Sequence, residues 1–221
     1  MFCLRISPAV MAIVVCLNFF IASSHEVRAA SSTLLLSEVQ TAGAGDSSQE
    51  FIEIYNAGSS DMFLDDMRVA YRSAKGETDT TVYRFTVDDM IRSHGYFLLV
   101  RSNKNVGRTP DALFETGLAN AGGGLALRES DNRIVDSLGW CTASNVFVEG
   151  TAAVAPDAGS SLERVVLLDT DNNGTDFRIQ LAPNPRNSED STAVPIPTTF
   201  LTFGVSALVL AISRLRIGLC A

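Results

Sequence analysis

No stretch of twelve residues in the body of this chain carries a convincing helical period, which removes most fold classes at once. Nine short runs rich in Leu, Ile, Val, Phe and Tyr stand there instead, at residues 34–40, 51–56, 67–71, 81–85, 96–101, 125–128, 133–138, 162–166 and 177–181. Several alternate. Ile52 and Ile54 oppose Glu53, and Phe177, Ile179 and Leu181 oppose Arg178 and Gln180, as half-buried strands require. Turn signals divide the runs: Asn56-Ala57-Gly58, Lys75-Gly76, His94-Gly95, Ala121-Gly122-Gly123-Gly124, Asp131-Asn132 and Asn172-Asn173-Gly174. Many short strands with turns between them predict an all-β domain, a two-sheet sandwich or barrel. The irregular pieces at 102–124 and 139–161 exceed ordinary loop lengths, so recognition is expected there.

The ends of the 221-residue chain differ from its body. Arg5 precedes an apolar run at residues 10–22, and Val27-Arg28-Ala29 offers small residues where a signal peptidase reads them, which predicts a signal peptide over 1–29 cut after Ala29. Val15 before Cys16 speaks against a lipoprotein site. Residues 200–212 carry no charge and precede Arg214 and Arg216, so the tail is expected to form a minimal membrane helix with the body outside. Export would then leave Cys141 as the body's single cysteine, excluding an intrachain disulfide. Without residues 1–29 and those after Ala193, 13 basic residues face 24 acidic ones, a net charge of about −11. Nucleic-acid partners are not expected of such a body.

The chemistry-bearing residues are few. Glu50 and Glu53 resemble a carboxylate pair, but at this spacing on a strand they point to opposite faces. His94, the body's single histidine, sits in a turn, and Glu163 with Arg164 is expected to make structural ion pairs. The segment at 169–176 places oxygens at its first, third and fifth positions and glycine at its sixth, as the start of a calcium loop does. Asp169, Asp171, Asn173 and Asp176 are the ligands to test for Ca2+, the one cofactor considered. Gln180 stands where the twelfth-position glutamate would be, so a hairpin-like connection held by Asn and Asp side chains is the competing reading. Asn173-Gly174-Thr175 is also a glycosylation sequon.

The opening Leu36-Ser37-Glu38-Val39 and Glu50-Phe51-Ile52-Glu53-Ile54-Tyr55-Asn56 are followed by Gly95-Tyr96-Phe97-Leu98-Leu99-Val100 and Val135-Asp136-Ser137-Leu138-Gly139-Trp140. Then come Gly159-Ser160-Ser161-Leu162-Glu163-Arg164 and Pro183-Asn184-Pro185-Arg186-Asn187. In this order the segments resemble the lamin tail domain, which implies an immunoglobulin-like β-sandwich over residues 30–187. The tail resembles the PEP-CTERM class of sorting signals. Val194-Pro195-Ile196-Pro197 takes the motif position within a linker at 188–199, and the helix with its basic end occupies 200–216. This implies transient membrane anchoring and processing by an exosortase-like enzyme, with a permanent anchor as the competing reading. The expectation is a non-catalytic binding or structural module, exported to the cell surface or extracellular matrix, whose ligand is a surface protein or polysaccharide. The alternative is a metal-dependent, nuclease-like hydrolase using the acids of 169–176.

Overall fold

The structure, a computed structural model, describes residues 33–190. Cleavage after Ala29, the motif Val194 to Pro197, the helix at 200–216, Arg214 and Arg216 lie outside the described residues. Among those described, no helix is long and apolar enough to cross a membrane.

The chain order is β1 (Leu34–Gln40), β2 (Phe51–Asn56), β3 (Met62–Phe63), β4 (Arg68–Ser73), β5 (Thr80–Arg84), β6 (Met90–Ile91) and β7 (Tyr96–Arg101). It continues with β8 (Ala112–Phe114), β9 (Gly122–Arg128), β10 (Ile134–Cys141), β11 (Ser161–Arg164), one helical turn α1 (Asn173–Asp176) and β12 (Phe177–Gln180). A six-stranded sheet runs β12-β11-β1-β2-β7-β8, a four-stranded sheet runs β10-β9-β4-β5, and β3 pairs with β6. All pairings are antiparallel except β7 with β8. This is the expected all-β, immunoglobulin-like sandwich. Its core joins Leu34, Leu36, Ile52, Ile54, Phe97 and Leu99 of the larger sheet to Val69, Tyr71, Leu125, Leu127, Leu138 and Trp140 of the smaller.

The runs at 34–40, 51–56 and 96–101 coincide with β1, β2 and β7. The one-sided burial expected of the run at 51–56 does not hold. Glu53 does face away from the sandwich interior, yet it is wholly buried, because residues 183–190 lie across that outer face. On the same face Leu35, Tyr55 and Tyr96 form one apolar cluster, and Phe51, Leu98 and Val100 form another. Strand β12 departs the other way: only Phe177 is buried, while Ile179 and Leu181 are exposed at the sheet's edge.

The glycine run also needs correcting, since Gly122, Gly123 and Gly124 open β9 and do not form a turn. A Cβ on Gly123 would come within 2.7 Å of the Tyr71 ring and 2.9 Å of the Trp140 ring. Gly123 therefore makes room for the two aromatic rings packed on the strand.

Candidate functional site

Two of the candidate residues of the 169–176 segment, Asp169 and Asp176, lie beside one guanidinium, that of Arg164. Two bulges prepare this place: β1 shifts register between Leu36 and Glu38, and β10 between Ile134 and Asp136. Bulges re-aim backbone and side chains, and here the Leu36 N–H donates to Asp136 Oδ2 at 2.5 Å. Arg164, fully buried on β11, donates through Nε to the Leu36 carbonyl at 3.0 Å and through Nη2 to both Asp136 oxygens at 2.8 and 2.9 Å. Its Nη1 donates to Asp176 Oδ2 at 3.0 Å and lies 3.7 Å from Asp169 Oδ1. The guanidinium carbon sits 4.5 Å from the Phe177 ring centre. Arg164 thus ties β1 of one sheet to β10 of the other, and Glu163 pairs with Arg178 at 2.8 Å, so both expected ion pairs are present.

Asn173 is buried and uses its whole amide. Its Oδ1 accepts from Gly139 N at 2.9 Å and Glu149 N at 3.0 Å, while Nδ2 donates to the Ser137 carbonyl at 2.9 Å and to Glu149 Oε2 at 3.0 Å. Such an amide pins β10 to the loop after it, and its nitrogen is closed to glycosylation in the folded domain. Asp176 also accepts from Thr170 N at 3.0 Å, and Asp171 takes a positive φ of 56°. Asp169, Asp171, Asn173 and Asp176 are therefore not gathered around one point as a calcium loop requires. The connection is a helical turn whose N-cap, Asn172, accepts from Gly174 N at 3.1 Å.

Among the described residues, the carboxylates of Asp136, Glu149 and Asp169 are the group close enough to share a cation, with ligand oxygens within 4.8 Å of one another. Arg164 already supplies positive charge at that point. Glu149 Oε1 is further engaged by Ser137, which donates from N at 3.1 Å and from Oγ at 2.7 Å.

A second polar cluster lies on the outer face of the larger sheet. Pairing places Glu53, Glu38 and Glu163 in one row across β2, β1 and β11. The closing segment covers that row: Asn184 N donates to Glu38 at 3.2 Å, and Arg186 donates to Glu53 from N at 2.6 Å and from Nη2 at 3.0 Å. Arg186 also stacks 4.0 Å from the Tyr96 ring centre, and Asn187 donates to the Thr109 carbonyl at 3.0 Å. Beyond it Arg108 and Asp190 form an ion pair.

Burial raises the pKa of Glu38 to about 7, although Ser161 donates to it at 2.5 Å. Burial likewise raises Glu50, which lies 3.4 Å from Arg101, to about 7. A carboxyl group with a raised folded-state pKa holds its proton more tightly when folded. Its contribution to stability is complete below the ordinary glutamate value and is lost as pH rises through about 7. Asp46, Asp79 and Asp190 are shifted down, so their contributions fade only below the ordinary aspartate range. The urea midpoint is therefore expected to fall between about pH 5 and pH 8, by the equivalent of about 1–2 kcal/mol. A midpoint that rises over this range would contradict the assignment.

Glu50 and Glu53 do not meet: Glu50 accepts from Leu118 N at 3.1 Å, and Glu53 accepts from the Ser37 hydroxyl at 2.6 Å. His94 occupies its turn at a positive φ of 54°, with Nδ1 3.2 Å from the Tyr55 hydroxyl. Cys141 is a half-buried free thiol packed on the core. An open cleft of about 360 Å³ lies among Gln40, Gln49, Phe51, Asn105, Val106 and Pro183, and no titratable side chain lines it.

A similar solved structure is that of a DUF4876 family protein from Bacteroides thetaiotaomicron VPI-5482. It is 12% identical, with 76% of this chain and 73% of that one covered, at a TM-score of 0.42. No curated protein matches. The family model of the lamin tail domain matches residues 28–142, from before β1 through the end of β10. This chain belongs to the lamin tail domain family.

Proposed function

We propose that this protein is an exported, non-catalytic binding or surface-structural module, sorted or anchored at the cell surface through its C-terminal segment. The cleft carries this reading: it offers amide and apolar surface and no group able to move a proton or attack a bond. Lamin tail domains are in general non-enzymatic. The described residues give the metal-dependent hydrolase no support, since Asn173 and Asp176 are taken up by Glu149 and Arg164.

Export and sorting rest on the sequence. The closing segment latches at Asn184, Arg186 and Asp190, a few residues before Val194-Pro195-Ile196-Pro197, so the motif follows closely on a fixed point of the domain. Prolines there favour an extended, accessible backbone that an exosortase-like enzyme could cut. Mass spectrometry of the mature protein from its native host is expected to find an N-terminus at Ala30 and a C-terminus within residues 194–197. A chain still beginning at Met1 would refute export through a cleaved signal. One ending at Ala221 would leave the permanent anchor.

A further inference from the structure

The outer face of the smaller sheet carries a row of opposite sign. Register pairs Arg84 of β5 with Arg68 of β4, and Arg68 with Arg128 of β9, so three arginines stand side by side across three strands. Strand spacing puts the outer two about 10 Å apart. Arg72, four residues after Arg68, joins them. Like charges placed directly opposite one another on a sheet are destabilising unless something compensates them.

The compensation supplied is one carboxylate and one asparagine: Arg68 Nη2 donates to Asn132 Oδ1 at 2.6 Å, and Arg128 Nη1 donates to the Asn132 carbonyl. Asp79 accepts from Arg72 Nε at 2.6 Å, but Arg68 Nη2 and Arg128 Nη2 reach it only at 3.4 and 3.5 Å. Arg128 Nε lies 2.8 Å from Asp79 yet has no hydrogen-bond partner, although its residue is nine-tenths buried. Arg84 is exposed and has no partner among the described residues. Three guanidinium groups therefore share a single carboxylate, and the fourth, Arg84, stands beside them. The acidic row on the opposite face of the molecule is covered by its own segment, with Arg186 and Asn184 supplying the donors. Among the described residues no such cover reaches Arg84.

The floor beside the row is also built. Ala70 and Ala126 pair across β4 and β9, and Phe147 of the long loop after β10 packs on them. Arg72 and Arg128 each stand 5.1 Å from the Phe147 ring centre. Stacked guanidinium groups are held in orientation, which favours forked recognition of planar oxyanions. The patch is bounded in sequence by acids in both adjoining hairpins, Glu77 before β5 and Glu129 and Asp131 before β10. A compact basic site within an acidic body suits spaced carboxylate or sulfate groups better than a continuous track of phosphates.

We infer that Arg68, Arg72, Arg84 and Arg128 form a binding site for the carboxylate or sulfate groups of an acidic polysaccharide. This deepens the module reading above and rests on it.

The test uses the full chain in neutral detergent, with alginate, chondroitin sulfate, neutral dextran, duplex DNA and inorganic sulfate as separate probes. Binding of alginate or chondroitin sulfate, with dextran inert, is expected. Arg84→Gln should weaken it about tenfold, while Arg133→Gln, on the exposed pair with Glu129, should leave it unchanged. The exposed Arg84 side chain makes no hydrogen bond or ion pair among the described residues, so its loss reads the site and not stability. Arg68→Gln, checked for folding by circular dichroism, should weaken binding as well. Equal affinity for DNA, polymer binding indifferent to Arg84→Gln, inorganic sulfate binding as tightly as polymer, or no binding would each overturn the assignment. Those results leave export and sorting to be judged by the chain termini.

Discussion

Replacing Arg164 with methionine is expected to lower the unfolding free energy by about 3–5 kcal/mol, the usual cost of removing one partner from a buried ion pair. The side chain is wholly buried and touches Asp136, Asp176 and the Leu36 carbonyl, with Asp169 nearby. Methionine fills much of the volume but leaves two buried carboxylates without their cation. Against a typical total of about 5–15 kcal/mol, a loss of this size removes a large part of the stability. Arg164→Lys should recover only part of it, because an ammonium cannot fork to Asp136 while also reaching Asp176 and the Leu36 carbonyl. Urea titration of wild type, Arg164→Met and the double variant Arg164→Met/Asp136→Asn measures this. The double variant should be more stable than the single one, since it removes a stranded charge. A single variant within about 1 kcal/mol of wild type would show that the bridge between the sheets does not hold them together.

How far the fold was legible follows from where the side chains go. β1, β2 and β7 are internal strands of the larger sheet, and their high apolar and aromatic content marks them. β3, β6 and β8 were missed because two or three residues carry no period; they are strands only through their partners, Met62 with Ile91 and Val100 with Leu113. Glu53 looked solvated because alternation predicts the strand's own faces and says nothing of a segment returning from residue 186 to cover one of them.

The site was legible by residue type and less so by role. Arg164 stood out, but its partner Asp136 lies 28 residues away, and two bulges bring them together. Asn173 and Asp176 occupy ligand-like positions in a calcium-loop spacing, yet that spacing equally serves a capped helical turn whose side chains reach inward. Arg68, Arg84 and Arg128 gave no signal as a group. They come from three separate runs, and only strand register makes them a row.

Trp140→Ala should cost about 3–5 kcal/mol, the range for truncating a large buried aromatic. Trp140 is fully buried at the end of β10, its indole N–H donates to the Ala119 carbonyl at 3.0 Å, and its ring centre lies 6.3 Å from that of Tyr71. Alanine would open a cavity and remove the indole's hydrogen bond to the Ala119 carbonyl, which keeps the one from Gly122 N at 3.3 Å. The site has little means of collapsing, because it lies against strands β4, β9 and β10 and Gly123 offers no side chain to move in. That rigidity makes the paired change informative. Gly123→Ala alone is destabilising through its clash with Tyr71 and Trp140; with Trp140→Ala the clash with the indole is gone and that with Tyr71 remains, so the double variant should lose less than the sum of the two single losses. Denaturation of the two single variants and the double variant measures the coupling. Strictly additive losses would mean that the glycine run does not serve to seat these rings.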